Sequence, residues 1–181
     1  FSEEILSTLI SMITSSLERH SQVLMVCLQF NFPAEIEVEG INNDCFQSFI
    51  ESYKRSLVHQ GLDPEYLWVR ENGLLNNRCH YHLLLLMDGN KIRYFANPFE
   101  VKKYWQRALQ KYFTYDKNIA PVHIQTLPQL QRGIMIKRSD PTAINLAVEL
   151  GSYLAKIASK NNIGKYVRVF SSSQFNTRSS K

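Results

Sequence analysis

An uninterrupted apolar run opened by two histidines constrains this chain more than any other feature. Residues 80–87 read His-Tyr-His-Leu-Leu-Leu-Leu-Met, with Asn76-Asn77 before them and Asp88-Gly89-Asn90 after. A run of this length between turn signals predicts a strand buried on both faces rather than a helix. Side chains alternate along a strand, so His80 and His82 share one face while Cys79 and Tyr81 take the other. Burying two bare imidazoles is costly without partners. Two neutral imidazoles on one face are half of a metal site. Hydrogen-bonded strand-end histidines are the competing reading, and the pair alone does not choose between the two.

The segment Tyr66-Leu67-Trp68-Val69-Arg70-Glu71 is aromatic and β-branched, and residues 72–79 supply a hairpin connection to the histidine strand. Leu67, Val69 and Glu71 share a face, so antiparallel pairing can bring Glu71 within reach of His80 and His82. Two imidazoles and a carboxylate with open positions suit a divalent cation, Mn²⁺ or Mg²⁺, that must still bind substrate oxygens. A solvated acid paired with Arg70 or Arg78 is the alternative, because strand register is not written in local sequence. His123 is a weaker candidate for the same position.

A second constellation lies downstream. Ser139-Asp140-Pro141 is a helix start, a capping residue followed by proline, and Asn161-Asn162-Ile163-Gly164 is a stop. Within that helix Tyr153, Lys156 and Lys160 are three and four residues apart, placing a phenol and two ammonium groups along one side. A phenol with cations beside it can attack a phosphodiester, since negative charge builds on the phosphate oxygens during displacement. Leu146, Leu150, Tyr153 and Ile157 also form a helical stripe, in which Tyr153 would merely pack with its hydroxyl in water.

These phrases together resemble a known superfamily. His80-Tyr81-His82 in an apolar strand, an acid on the preceding strand and the helical Tyr153-Leu154-Ala155-Lys156 are similar to the HUH endonucleases. With Tyr66–Glu71 and the tail Arg168-Val169-Phe170-Ser171-Ser172-Ser173, they resemble more narrowly the inovirus-type replication initiators, over roughly residues 20–175. The resemblance implies an α+β fold with a central antiparallel sheet flanked by helices, and an enzyme that nicks and rejoins single-stranded or locally melted DNA. It implies His80 and His82 as metal ligands with Glu71 the third, Tyr153 as nucleophile and Lys156 as its electrostatic helper. A 5′-phosphotyrosine intermediate and rolling-circle initiation of a phage, plasmid or satellite element follow from it, in a bacterial cytoplasm. Two-tyrosine enzymes carry a second tyrosine one turn away, but Glu149 and Ile157 occupy those positions here, so the match is to a one-tyrosine site. A non-cleaving DNA-binding module on the same scaffold, or a relaxase or single-strand transposase, is the alternative.

Charge agrees with a nucleic-acid partner. The 181 residues carry 21 basic and 16 acidic side chains, a formal +5. Lys160, Lys165, Arg168, Arg178 and Lys181 fall in residues 160–181 with no acid among them, and Lys160, Lys165 and Arg168 are the DNA-phosphate candidates. Residues 1–175 read as one domain and 176–181 as a basic, flexible tail. The odd cysteine count, Cys27, Cys45 and Cys79 without a CxxC pair, predicts reduced thiols. No run reaches the about 18 apolar residues of a membrane span, so no membrane partner is expected. A start at Phe1 predicts an excised domain, with any helicase or further domain outside it.

Periodicity assigns the remaining elements. Helices are expected at 2–19 (Ile5, Leu9, Met12, Ile13 and Leu17 inward), 43–60 (Phe46, Phe49, Ile50, Tyr53, Leu57) and 98–113 (Val101, Tyr104, Trp105, Ala108, Leu109, Tyr112). Strands are expected at 23–32, 122–127 and 133–137. Tyr66, Trp68 and Tyr81 fall on the sheet face opposite the histidines, as core rather than a base-stacking platform.

Overall fold

A computed structural model of the chain describes residues 2–38, 40–72, 78–95, 98–114, 124–125, 132–158 and 167–174. The architecture is α+β, an antiparallel sheet flanked by four helices. In chain order the elements are α1 (Glu3–Arg19), β1 (Gln22–Asn31), α2 (Asp44–His59), β2 (Glu65–Asn72), β3 (Cys79–Asp88), α3 (Pro98–Tyr112), β4 (Ile124–Gln125), β5 (Ile134–Lys137), α4 (Pro141–Ala158) and β6 (Phe170–Ser172). The strand order is β4-β1-β3-β2-β6, and β5 shares the outer edge of β1 with β4. The strand expected at 133–137 starts one residue later, and of the one expected at 122–127 only Ile124–Gln125 fall among the described residues, with 122–123 and 126–127 outside them. Among the described residues no helix is long and apolar enough to cross a membrane.

Local chemistry sets the helix ends. Asp140 accepts the Ala143 amide at 3.1 Å with Pro141 as the first helical residue, which starts α4 as its sequence predicts. Gly61, at φ +72°, ends α2 with paired bonds from Gly61 N to Val58 O (2.8 Å) and Leu62 N to Leu57 O (3.0 Å). A residue with a Cβ is strained in that left-handed conformation.

The alternation of β3 divides the core in two. One face carries Cys79, Tyr81, Leu83, Leu85 and Met87 under α2 and α3, in a cluster dominated by Phe30, Phe46, Phe49, Trp68 and Trp105. Phe46 stacks on Tyr81 with centroids 4.0 Å apart and planes 5° from parallel. Trp68 and Tyr81 are core as expected, Tyr66 is partly buried against the same cluster, and Tyr112 is 41 % exposed at the last turn of α3. The other face carries Leu84 and Leu86 with Leu67 and Val69 of β2, under an aliphatic layer from α1 and α4. His80 and His82 sit on this second face at the start of β3.

Candidate metal centre

Register completes what the alternation begins. β2 and β3 pair with Glu71 opposite His80 and Val69 opposite His82. Glu71 therefore stands on the histidine face, and its Oε2 lies 2.9 Å from the Nε2 of both His80 and His82. The three donor atoms lie within 4.8 Å of one another. Their side chains are 14–25 % exposed, so the cluster is half-buried and open to a ligand. Arg70 and Arg78 are engaged elsewhere. Arg70 turns to the opposite face and donates to Ile41 O at 2.7 Å and Asn43 Oδ1 at 3.2 Å. Arg78 reaches the carbonyls of Pro33 (2.7 Å) and Ile36 (3.1 Å), clamping the loop after β1.

This donor set fits a divalent cation. Two imidazole nitrogens and one carboxylate oxygen, with room for further ligands, make an open three-donor set rather than a closed four-ligand structural zinc site. Cys79 is buried on the other face and does not join it. His80 Nδ1 lies 3.4 Å from the Arg78 carbonyl, a contact that, with Nδ1 protonated, aims the Nε2 lone pair at a ligand. Burial holds His82 below the usual histidine range, with His80 adding to the effect and the Glu71 hydrogen bond opposing it. Its imidazole stays neutral to lower pH, the form that ligates.

Tyr153 comes to the same place. Its ring centre is 6.5 Å from that of His82 at 84°, and the residue is 52 % exposed. Of the stripe Leu146, Leu150, Tyr153, Ile157, Leu146 is 44 % exposed, Leu150 is only partly buried against the core, and the Ile157 side chain lies outside the described residues. Ala147, Gly151, Leu154 and Ala155 are buried instead. The small residues Ala143, Ala147, Gly151 and Ala155, four apart, let α4 lie close on α1 and the sheet. A Cβ on Gly151 would stand 2.5 Å from Leu9 Cδ2 and 3.3 Å from Leu84 Cδ1. That approach rotates Tyr153 out of the core and over the histidines. Lys156, one turn on, is exposed on the same side of the helix.

The basic candidates fare unequally. Lys160 and Lys165, like His123, lie outside the described residues. Arg168 is exposed just ahead of β6. β6 pairs Phe170 with Val69, and continuing that register sets Arg168 at the level of Glu71. Asn43 Nδ2 donates to the Arg168 carbonyl at 2.8 Å and holds it there.

Sequence reasoning passed over two polar residues on this face. On β1, Gln29 pairs with His82 and Asn31 with His80, so both carboxamides flank the cluster. Their signal was present: Gln29 and Asn31 alternate with Phe30 and Phe32 in an otherwise apolar strand, the same polar-apolar-polar pattern as His80-Tyr81-His82.

The model of one protein family, described as the YagK/YfjJ C-terminal domain, matches residues 1–173. The chain belongs to that family. No curated protein and no solved structure matches it. The matched span of this YagK/YfjJ domain runs from ahead of α1 to just past β6, so it takes in Glu71, His80, His82 and Tyr153 together.

Proposed function

We propose that this YagK/YfjJ domain nicks and rejoins single-stranded or locally melted DNA by transesterification at Tyr153, initiating rolling-circle replication of a phage, plasmid or satellite element. The observation that carries the reading is the meeting of an exposed phenol with a His-His-Glu cluster, ring to ring at 6.5 Å. The sequence resemblance to HUH enzymes supports the same chemistry. Tyr153 Oη bonds to phosphorus as the bond to the 3′ oxygen breaks, leaving a 5′-phosphotyrosine and a free 3′-hydroxyl. The phenolic proton passes to water in the open cleft, and the departing 3′ oxygen takes one up. Reversal rejoins the strand, because the phosphotyrosine bond conserves the energy of the one it replaced. His80, His82 and Glu71 would hold Mn²⁺ or Mg²⁺, which supplies Lewis-acid polarisation of the phosphate oxygens. Lys156 offsets charge developing on the phosphate, and Arg168 holds the backbone beside the cut.

The test is covalent capture. Incubated with Mn²⁺ and a pool of single-stranded oligonucleotides, the wild type is expected to form a denaturation-resistant adduct. Tyr153→Phe should abolish it while leaving DNA affinity nearly intact. A Tyr153→Phe variant that nicks at the full rate removes Tyr153 from the role, and DNA binding without any nick leaves a non-cleaving binding module.

A further inference from the structure

The two β1 amides are placed to choose the substrate. Gln29 and Asn31 stand opposite His82 and His80 on the face that bears the cluster. Both are half-buried, and Gln29 Nε2 donates to Asn31 Oδ1 at 3.2 Å. That bond joins the two carboxamides and presents a Gln29 acceptor beside Asn31 donors along one edge.

Strand order gives the edge a direction. α4 starts beside β5 at the far edge of the sheet, packs on β2 as well, and brings Tyr153 near its C-terminal end to His82, while β1 lies on the far side of β3 from β2. In a phosphoryl displacement the entering and leaving oxygens stand on opposite sides of phosphorus. With Tyr153 entering from the β2 side, the leaving 3′ oxygen and its nucleotide lie over β1. We infer that Gln29 and Asn31 read the base of the nucleotide immediately 5′ of the cut. Carboxamides match a base edge with adjacent donor and acceptor, such as adenine N6 and N7. This assignment rests on the proposed transesterification for its polarity, so its test has a binding arm that needs no chemistry.

In that arm, a randomised single-stranded DNA pool is selected in Mn²⁺ against Tyr153→Phe, and against Tyr153→Phe carrying Gln29→Ala and Asn31→Ala. In the cleavage arm, adducts and released ends from the Tyr153 protein locate the cut. Four oligonucleotides differing only at the base before it are then compared with wild type, Gln29→Ala and Asn31→Ala. The expected result is that the amide variants lose a preference of about tenfold at that one position. Mn²⁺ affinity and the ranking of bases elsewhere stay unchanged, which a merely structural defect would not produce. An identical selected motif with and without the amides overturns the inference, as does a lost preference 3′ of the cut. A selection that depends on the amides, with no adduct in the cleavage arm, sinks the transesterification while the amide subsite stands.

Discussion

The two ends of the sheet are built from the same side chains to opposite effect. Where β2 begins and β3 ends, His20 lies between Asp63 Oδ2 (2.7 Å) and Asp88 Oδ1 (3.5 Å). There Arg19 bridges Asp63 (3.0 Å) and Glu65 (2.6 Å), and Ser16 donates to Glu65 at 3.0 Å. At the other end one carboxylate, Glu71, is shared by two imidazoles. A histidine among carboxylates closed by a guanidinium is a structural lock. Two histidines on one carboxylate can exchange those hydrogen bonds for a cation, because an imidazole that gives up its Nε2 proton offers a lone pair there and the lone negative charge attracts the ion. Residue type thus says less about a cluster than the sign of what completes it.

The largest effect that bears on this contrast is expected at Glu71. Glu71→Gln should lower Mn²⁺ affinity about a hundredfold or more by calorimetry, while the melting temperature barely moves. Unchanged Mn²⁺ binding would make this end a lock like the other. Next, Glu65→Ala should cost about 2–3 kcal/mol in urea denaturation, below a fully buried pair because Arg19 reaches water. It should leave Mn²⁺ affinity alone, and a matching loss at both ends would erase the distinction.

Gly151→Ala tests whether close packing of α4 places the phenol. Overpacking against Leu9, which is fully buried, costs about 1–3 kcal/mol and is partly offset by a helix-propensity gain of about 1 kcal/mol. Adduct formation should slow about tenfold with Mn²⁺ binding intact, and an unchanged rate would free Tyr153 from that dependence.

The smallest effect belongs to Asp63. Burial pushes its carboxyl up, but hydrogen bonds from His20 and Arg19, with their charges, outweigh this and hold it below 3.8. Its stabilisation is complete above pH 3.8 and is lost as pH falls through the lowered value. Asp63→Asn tolerates the positive φ of 45° and removes only the charge. The half-exposed site limits the effect to a few tenths of a kcal/mol, seen as a gap between wild type and variant that closes below pH 4.

Much of this was legible in the sequence because the signals are local. The alternation of His80-Tyr81-His82 put the imidazoles on one face and Cys79 and Tyr81 on the other. The helical periods of α1 and α2 named the residues they bury. Tyr112 failed because a helix's last turn can run past the core it packs on. On α4 hydrophobicity marked Leu146, which is exposed, while the smaller Ala147, Gly151 and Ala155 are buried. Shape decided, since glycine and alanine let the helix approach α1 and β3 more closely than leucine would. β6 is three residues long and too brief to show a period, and only the exposed edge of β2 made it a strand.

What the chain determined unaided is which side chains share a face, since strand and helix periods are set by backbone geometry within a few residues. The tertiary structure alone decided that Glu71 falls opposite His80, that α4 turns Tyr153 toward His82, and that Gln29 and Asn31 border them. Those three outcomes depend on register and on how closely layers pack. Both are settled by contacts between residues tens of positions apart, where one step of slip or a single added methyl changes the answer.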